Sequence, residues 1–212
     1  MENLDKFKEE IVKIGKRLYD KGFVPGASGN ISIRYENNIL ITPSGKNLAD
    51  VIEEDVAVID INGNSIAGKK PSSEKTMHLE IYKARPDITS IIHAHAPKAT
   101  AFAVAGIPLN APILSEALVI LGNIPVAEYA MPSSDKLATQ VANHFKTHDA
   151  VLMANHGVVI GSNQLIDAYY KLETLELYAE ISINAKILGN LNELSKENIQ
   201  ELMELRKNLL KQ

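Results

Sequence analysis

The sequence predicts an α/β fold in which one largely antiparallel sheet is covered by helices on both faces. Three observations favour it: amphipathic segments near both ends of the chain, two β hairpins in its first third, and short apolar strands alternating with helices between them. Such elements bury their apolar faces as layers on a shared sheet. The 212 residues contain no internal repeat or linker, so we expect a single domain over residues 1–212.

The first elements are a helix and two hairpins. Apolar residues at helical spacing define the helix, and Gly22 is placed to end it in a left-handed conformation. Segments 31–34 and 39–42 are predicted as strands joined by a turn at 37–38, and "VAVIDINGNSIAG" repeats this form with its turn at 62–64. The apolar residues of the helix are Leu4, Phe7, Ile11, Ile14 and Leu18.

A helix and a strand follow. "SSEKTMHLEIYKARP" is predicted as a helix that its serines cap and that Pro86 ends. "ITSIIHAHA" is predicted as a strand, and 98–105 as a further helix. More short strands are expected around Pro112 and Ile124.

The second half of the chain is predicted to be mainly helical. Helices are expected at 134–144, 166–188 and 195–210, and "AVLMANHGVVIG" reads as a buried strand pair between the first two. The last of these helices is amphipathic. Its predicted apolar side carries Ile199, Leu202, Leu205 and Leu209.

Composition excludes several classes of function. A net charge of −4 provides no basic field, so we expect no nucleic-acid partner. With no cysteine, any metal must be held by His, Asp or Glu. The longest apolar region, 100–122, is broken by prolines and polar residues, so we expect no membrane partner. Because "MENLDKFKEE" lacks the features of a signal peptide, we expect a cytoplasmic protein.

Three histidines are candidate metal ligands. His93 and His95 lie two residues apart at a predicted strand end, so both point to one face. His156 precedes a glycine at another strand end, although a histidine in that context also fits a structural role. Three imidazoles suit a catalytic zinc with an open coordination position. His144 and His148 have helical spacing but read as an ordinary surface pair.

Glu74 is a candidate general base. It follows Ser72 and Ser73 at a predicted helix start, where free N–H groups favour negative charge. The same residues also fit a plain capped helix with a stabilising glutamate. His78, one turn beyond Glu74, either joins the site or packs and bonds to the backbone.

Two polar turns complete the set of candidates. "GASGN" contains Gly29 and Asn30, and "TPSGK" contains Ser44 and Gly45. Turns of this kind form anion-binding nests, although each also fits an ordinary hairpin turn. Neither matches a Walker motif or a dinucleotide fingerprint, which disfavours nucleotide binding.

Five stretches carry a resemblance to a known family, in this order: "GASGNISIR", "ITPSGK", "KPSSEKTMHLEIYKARPDI", "IIHAHA" and "NHGVVIG". The chain resembles the class II aldolase and adducin head family, closest to its fuculose-phosphate aldolase branch. The likeness extends from about residue 15 to 188. It implies a three-layer α/β/α sandwich with a mixed, largely antiparallel central sheet. It also implies a homotetramer with sites at subunit interfaces.

The resemblance assigns roles to the candidate residues. It implies that His93, His95 and His156 bind Zn²⁺, with Mn²⁺ or Co²⁺ as alternatives, and that Glu74 is the acid/base and also a ligand when substrate is absent. The substrate phosphate would be held by Gly29, Asn30, Ser44, Gly45, Ser72 and Ser73.

The implied reaction joins or cleaves a sugar 1-phosphate. Fuculose 1-phosphate or a related deoxy-ketose 1-phosphate would be interconverted with dihydroxyacetone phosphate and a short aldehyde such as lactaldehyde, through a metal-stabilised enediolate. Alternatives are a methylthioribulose-1-phosphate dehydratase, a sugar-acid phosphate decarboxylase, a pentulose-phosphate 4-epimerase and, outside catalysis, an adducin-like assembly module.

One feature departs from the family pattern. Segments 107–122 and 204–212 lack the tyrosines that fuculose-phosphate aldolases use near the aldehyde. Glu116, or a residue of an adjoining subunit, is the expected substitute for the second proton donor.

Overall fold

A computed structural model describes residues 2–209, and side chains from residue 4 onwards. Its centre is an eight-stranded sheet in the order β4-β3-β2-β1-β5-β8-β7-β6. Neighbouring strands pair antiparallel except β6 and β7, which run parallel. The strands are β1 Asn30–Tyr35, β2 Asn38–Ile41, β3 Ala57–Asp60, β4 Ser65–Ala67, β5 Ser90–Ala94, β6 Val126–Ala127, β7 Ala150–Met153 and β8 Gly157–Ser162.

Helices cover both faces of this sheet, which confirms the predicted three-layer α/β/α fold. Helices α2 and α5 enclose one apolar core against the sheet, and α1, α3, α4 and α6 enclose the other. Successive strand side chains point to opposite faces and so contribute to both cores: Ile91 faces the first core and Ile92 the second. The helices are α1 Glu2–Asp20, α2 Lys75–Ala84, α3 Pro97–Ala105, α4 Ser115–Ile120, α5 Asp135–Phe145, α6 Leu165–Ile187 and α7 Lys196–Leu209.

The three central strands carry the candidate histidines. β5 pairs with β1 on one side and β8 on the other, in a register that places Asn30 and Val159 beside His93. β5 ends at Ala94, so His95, which the predicted strand included, lies one residue beyond the observed one. Its backbone N–H donates to the carbonyl of Phe23 at 2.8 Å, which holds it close to the sheet.

Helix α3 begins directly after His95 and is fixed by a carboxylate from α6. The two oxygens of Glu176 accept the N–H groups of Lys98 and Ala99, each at 2.9 Å. A carboxylate at a helix N-terminus satisfies free donors and opposes the positive end of the helix dipole. The segment that carries His95 is therefore anchored on both sides.

The middle segment differs from its prediction. Strands were expected around Pro112 and Ile124, but α4 occupies Ser115–Ile120 between them. Only β6 and an isolated bridge between Leu109 and Ile124 are extended there. A six-residue helix is too short to show a clear helical periodicity in the sequence.

The predicted terminal helices are confirmed, with one correction in packing. α1 ends at Asp20, and Gly22 follows with a φ of +73°. α7 buries none of its described residues, and Leu205 and Leu209 are about half exposed, so the predicted apolar side is only partly covered. Leu210, the last residue of the predicted helix, lies outside the described residues. Among residues 2–209, no helix combines the length and apolar content needed to cross a bilayer.

Candidate metal centre and its carboxylate

Three histidines from two separate parts of the chain converge at one end of the central strands. One nitrogen from each of His93, His95 and His156 lies within 4.8 Å of the others. The ring centroids are 4.8 to 5.2 Å apart. This group could hold a metal ion, and the pattern of imidazoles around an open face is one that zinc enzymes use.

Hydrogen bonding determines the tautomer of His93. Its ring is completely buried, and Nδ1 lies 3.0 Å from the carbonyl oxygen of Val158 on β8. Because a carbonyl oxygen only accepts, Nδ1 donates the proton, which leaves Nε2 as the ring nitrogen available to a metal. That Nε2 is 3.1 Å from Nε2 of His95 and 3.2 Å from Oε2 of Glu74.

His156 lies in the tight turn between β7 and β8. Its N–H donates to the carbonyl of Met153 at 3.0 Å, and Asn155 before it has a φ of +57°. Its Nε2 is 3.5 Å from Oε1 of Glu74, and its buried Nδ1 has no hydrogen-bond partner. The turn therefore directs the imidazole toward the carboxylate.

Glu74 lies immediately before α2 and is 8% exposed. Its Oε2 accepts an N–H of Asn30 at 2.9 Å, whereas its buried Oε1 has no hydrogen-bond partner. Burial raises the pKa of Glu74, but the imidazoles of His93 and His156 and the bond from Asn30 outweigh it, so the pKa lies below its usual value. The carboxylate is ionised at pH 7.

His95 and His156 are neutral at the same pH. Burial, with repulsion from His93 added to it, lowers the pKa of His95 and of His156 to about 4. Neutral imidazole is the form that binds metals.

The donor set fits a divalent cation. Ring nitrogens converge within 3.1 Å of each other and 3.2 Å of a carboxylate whose other, buried oxygen has no hydrogen-bond partner, and a cation among them would satisfy these groups together. The ligands are nitrogen and carboxylate oxygen, which suit zinc and its neighbours in the transition series.

The three expected phosphate-binding segments lie side by side near Glu74. Asn30 contacts Glu74 directly, Pro43 forms a bridge with Pro71, and the N–H of Ser72 donates to the carbonyl of Thr42 at 3.0 Å. The N–H of Ser44 donates to the carbonyl of Lys70 at 2.9 Å, which joins the 44–45 turn to the segment before α2. Gly45 turns with a φ of +73° in open space.

Gly29 has a backbone role at this site. Its φ is +73°, and a Cβ there would lie 2.5 Å from Cγ1 of Val24 and 2.9 Å from the carbonyl oxygen of His93. Only glycine combines this conformation with so close an approach. Gly29 therefore lets β1 begin against the backbone of His93.

The start of α2 differs from the predicted serine cap. Glu74 is the N-terminal cap residue, and no side chain caps the first turn. Ser72 instead accepts the N–H of Glu74 through its hydroxyl at 3.2 Å and that of Lys75 through its carbonyl at 3.2 Å. These two amides are thus already bonded, and the exposed hydroxyl of Ser73 is the group that this turn offers to a ligand.

Other candidates lie elsewhere or play other roles. The rings of His144 and His148 make an edge contact, with centroids 6.4 Å apart, at the end of α5, in line with a surface pair. Lys46 of "TPSGK" is ion-paired with Asp55. Glu116 is exposed in the first turn of α4.

A cavity of about 560 Å³ lies at the opposite end of the sheet from the histidines. Asp149 dominates it, with Arg85, Lys171 and Arg206 each within 3.3 Å of its carboxylate. Its lining includes none of the three clustered histidines. We interpret these contacts as a tie between helices, separate from the metal centre.

Sequence reasoning missed Thr42 and left the role of His78 open. The hydroxyl of Thr42 accepts the N–H of Ile31 at 3.1 Å and so joins β1 to the 44–45 turn, which no motif indicated. His78 bonds to the side chains of Asn30 and Ser32, so of the two roles considered for it, it joins the site rather than bonding to the backbone. The complete burial of His78 is the feature that indicates its role, and burial can be read only from the folded structure.

Gly157→Ala is expected to weaken metal binding. A Cβ at Gly157 would lie 2.5 Å from the carbonyl oxygen of Ala94, 2.9 Å from Cδ2 of His95 and 3.3 Å from Cε1 of His93. The backbone or both rings must shift, and overpacking of this kind costs about 1–3 kcal/mol of stability. Zinc affinity should fall together with the melting temperature, as measured by chelator competition and calorimetry.

Gly161→Ala is the matched control on the same strand. A Cβ there would lie 2.8 Å from Cδ1 of Ile88 and 3.0 Å from Cε1 of Phe145, far from the histidines. It should lower stability but keep zinc affinity. Equal zinc affinity in both variants would contradict the assigned ring positions.

Comparisons with known proteins agree with this geometry. Residues 9–183 match the class II aldolase and adducin N-terminal domain. L-fuculose phosphate aldolase of Methanocaldococcus jannaschii is 38% identical over 176 residues, covering 83% of this chain and 95% of that protein. 3-oxo-tetronate 4-phosphate decarboxylase of Haemophilus influenzae is 36% identical over 179 residues, covering 82% and 85%. 5-deoxy-D-ribulose 1-phosphate aldolase of Bacillus thuringiensis serovar kurstaki is 35% identical over 203 residues, covering 94% of each.

A solved structure described as L-fuculose 1-phosphate aldolase superposes with a TM-score of 0.88 at 37% identity, covering 94% of this chain and 95% of its own. The family model, the sequence identities and the superposed structure therefore all match most of the chain. The chain belongs to the class II aldolase and adducin N-terminal domain family.

Proposed function

We propose that the chain, as one domain of this family, is a cytoplasmic, zinc-dependent aldolase acting on a sugar 1-phosphate. Its substrate would be fuculose 1-phosphate or a related deoxy-ketose 1-phosphate, interconverted with dihydroxyacetone phosphate and a short aldehyde such as lactaldehyde. The observation that carries the proposal is the ionised, buried Glu74, which lies beside a cluster of three imidazoles with one oxygen unpaired.

His93, His95 and His156 would hold the ion, with Glu74 as a fourth ligand before substrate binds. Zn²⁺ is the proposed metal, and Mn²⁺ or Co²⁺ are the alternatives. A divalent ion at such a site acts as a Lewis acid that stabilises negative charge developing on a substrate oxygen. That chemistry is needed here because the low pKa of Glu74 makes its carboxylate a weak base.

Glu74 would take the carbon-bound proton of the keto phosphate on its free oxygen. The enediolate that results attacks the aldehyde carbon, and in the cleavage direction the same carbon–carbon bond breaks. Asn30 donates to the other oxygen of Glu74 and so holds the carboxylate in one orientation. A positioned base of this kind contributes about 10²–10⁴ in rate.

The substrate phosphate would be held by Gly29, Asn30, Ser44, Gly45, Ser72 and Ser73. Their segments adjoin one another beside Glu74, which supports a shared anion site. Within this set, the bonded amides of Glu74 and Lys75 leave the Ser73 hydroxyl as the main donor from the α2 turn.

Ser73→Ala is expected to raise the KM for a phosphorylated substrate and to leave kcat nearly unchanged. The lost bond is made equally in the ground state and the transition state, so it affects binding alone. Steady-state kinetics of dihydroxyacetone phosphate release measure both constants. Ser65→Ala, at an exposed serine of the edge strand β4, is the control. A fall in kcat at unchanged KM would remove Ser73 from the phosphate site.

We also propose a homotetramer with sites between subunits. Tyr129 and Met131 support it, because both are more than half exposed and follow β6 at the same end of the sheet as His156. An adjoining subunit, or Glu116, would supply the second proton donor. Analytical ultracentrifugation tests the assembly, and an active monomer would contradict it.

A decarboxylase is the second candidate, because a relative 36% identical to this chain is a 3-oxo-tetronate 4-phosphate decarboxylase. Dehydratase, 4-epimerase and adducin-like assembly functions have less support, since they rest on the family alone.

A substrate panel tests the proposal. Zinc-loaded protein is incubated with fuculose 1-phosphate, ribulose 1-phosphate, 5-deoxyribulose 1-phosphate and 3-oxo-tetronate 4-phosphate, and dihydroxyacetone phosphate and CO₂ are measured. An aldolase releases dihydroxyacetone phosphate from a ketose 1-phosphate. Water loss, or dihydroxyacetone phosphate formed together with CO₂ from 3-oxo-tetronate 4-phosphate alone, would count against the aldolase. Protein that binds no divalent ion and stays inactive with every one would favour the assembly module.

A further inference from the structure

A buried chain of hydrogen bonds leads from the interior to the carboxylate of Glu74. The hydroxyls of Tyr82 and Ser32 are 2.7 Å apart, and Oγ of Ser32 is 2.7 Å from Nδ1 of His78. Nε2 of His78 is 2.5 Å from Oδ1 of Asn30, whose Nδ2 donates to Oε2 of Glu74 at 2.9 Å. The four residues behind Glu74 are at most 4% exposed, so water does not compete for these bonds.

Local geometry places these groups between the sheet and α2. Asn30 and Ser32 are two residues apart on β1 and face α2 together. His78 and Tyr82 are one turn apart on that helix and face the strand. The chain therefore links two elements that are 44 to 50 residues apart in sequence.

Between Glu74 and Ser32 the donors and acceptors have a single consistent direction, while the Tyr82 hydroxyl also lies 3.3 Å from the carbonyl oxygen of Thr89. Because the ionised carboxylate of Glu74 only accepts, the amide of Asn30 presents its NH₂ group there and its oxygen to His78. Nε2 of His78 is then the donor, and Nδ1 accepts the hydroxyl proton of Ser32. Burial lowers the pKa of His78 to about 3, so the ring is neutral and one nitrogen is free to accept.

We propose that His78 is a positioning residue for Glu74, acting through Asn30. Its Nε2–H holds the Asn30 amide in the orientation that directs N–H groups to the site, and Ser32 and Tyr82 hold the tautomer of His78. A reversed amide would place its oxygen against the carboxylate and repel it. The inference rests on the proposed role of Glu74 as the base.

Two substitutions separate this role from a packing role. The amide of His78→Gln reaches the place of Nε2 and keeps a donor for Asn30, whereas that of His78→Asn reaches only the place of Nδ1 and keeps the Ser32 partner instead. Loss of such an outer partner typically costs about 10–100-fold in activity. We expect kcat for proton exchange at dihydroxyacetone phosphate to fall by about that factor in His78→Asn and to stay near wild type in His78→Gln.

NMR spectroscopy tests the tautomer of His78 independently of any activity measurement. ¹⁵N-histidine-labelled, zinc-loaded protein is compared with His78→Gln to assign the ring, and two-bond ¹H–¹⁵N correlations at pH 7 identify the protonated nitrogen. We expect a proton on Nε2. A proton on Nδ1 would overturn the proposal, even if His78→Asn failed to fold.

The outcomes distinguish the inference from the proposed function. Wild-type protein inactive toward every substrate in the panel would reject the function. With active wild-type protein, equal losses of kcat in both His78 variants, following their melting temperatures, would reject the positioning role. Tyr82→Phe removes only the outermost hydroxyl, so its loss of kcat should be smaller than that of His78→Asn, and an equal loss would also count against it.

Discussion

Glu74→Gln is expected to abolish proton exchange at the keto phosphate while the protein keeps its metal. The amide has nearly the shape of the carboxylate but cannot take a proton, so the loss should reach about 10²–10⁴ in rate. The variant keeps the three clustered imidazoles that would hold the ion. Deuterium incorporation into dihydroxyacetone phosphate, followed by NMR, measures the exchange, and elemental analysis measures the zinc.

Glu80→Gln is the control on the same helix. Glu80 is exposed and paired with Lys83 at 2.8 Å, away from the histidines. Surface pairs of this kind contribute about 0–1 kcal/mol, so exchange and stability should hardly change. Exchange near the wild-type rate in Glu74→Gln itself would show that another group is the base.

His95→Ala should lose most of the affinity for zinc, and activity with it. The substitution removes one of three clustered nitrogens, so we expect a loss beyond the roughly 10–100-fold typical of an outer partner. Zinc at a hundred times its Kd stabilises a folded protein by about 2.7 kcal/mol. The rise in melting temperature on adding zinc should therefore shrink in the variant, and chelator competition gives the affinity.

His144→Ala provides the comparison for this experiment. That imidazole belongs to the pair at the end of α5 and lies outside the cluster, so its loss should leave zinc content and zinc-induced stabilisation unchanged. Full zinc content in His95→Ala after dialysis would remove His95 from the proposed ligands.

Strong periodicity and turn residues made most of the fold predictable. Helix α6 and the β1–β2 hairpin follow from patterns within one segment. The candidate histidines could also be predicted from the sequence, because a pair at a strand end and a histidine before glycine are local signals. Helix α4 was missed because six residues show no clear period.

The bonds behind Glu74 could not be predicted. In "NISIR", Asn30, Ser32 and Arg34 alternate with isoleucines, a pattern typical of a strand with one face in water. That face is instead covered by α2, and each polar group finds a partner there, including a bond from Arg34 to the carbonyl of Tyr82 at 3.0 Å. Which face a helix covers depends on contacts between distant segments, and no single segment records it.

The placement of the site on β1, β5 and β8 couples its assembly to folding. Its groups come from positions between 30 and 156, and they meet only after all three strands have paired. Long-range pairing of this kind is slow, so a partly folded chain has no competent set of ligands. Any ion bound there contributes its binding free energy to the native state alone. Metal uptake during refolding should therefore report the completed sheet rather than an early intermediate.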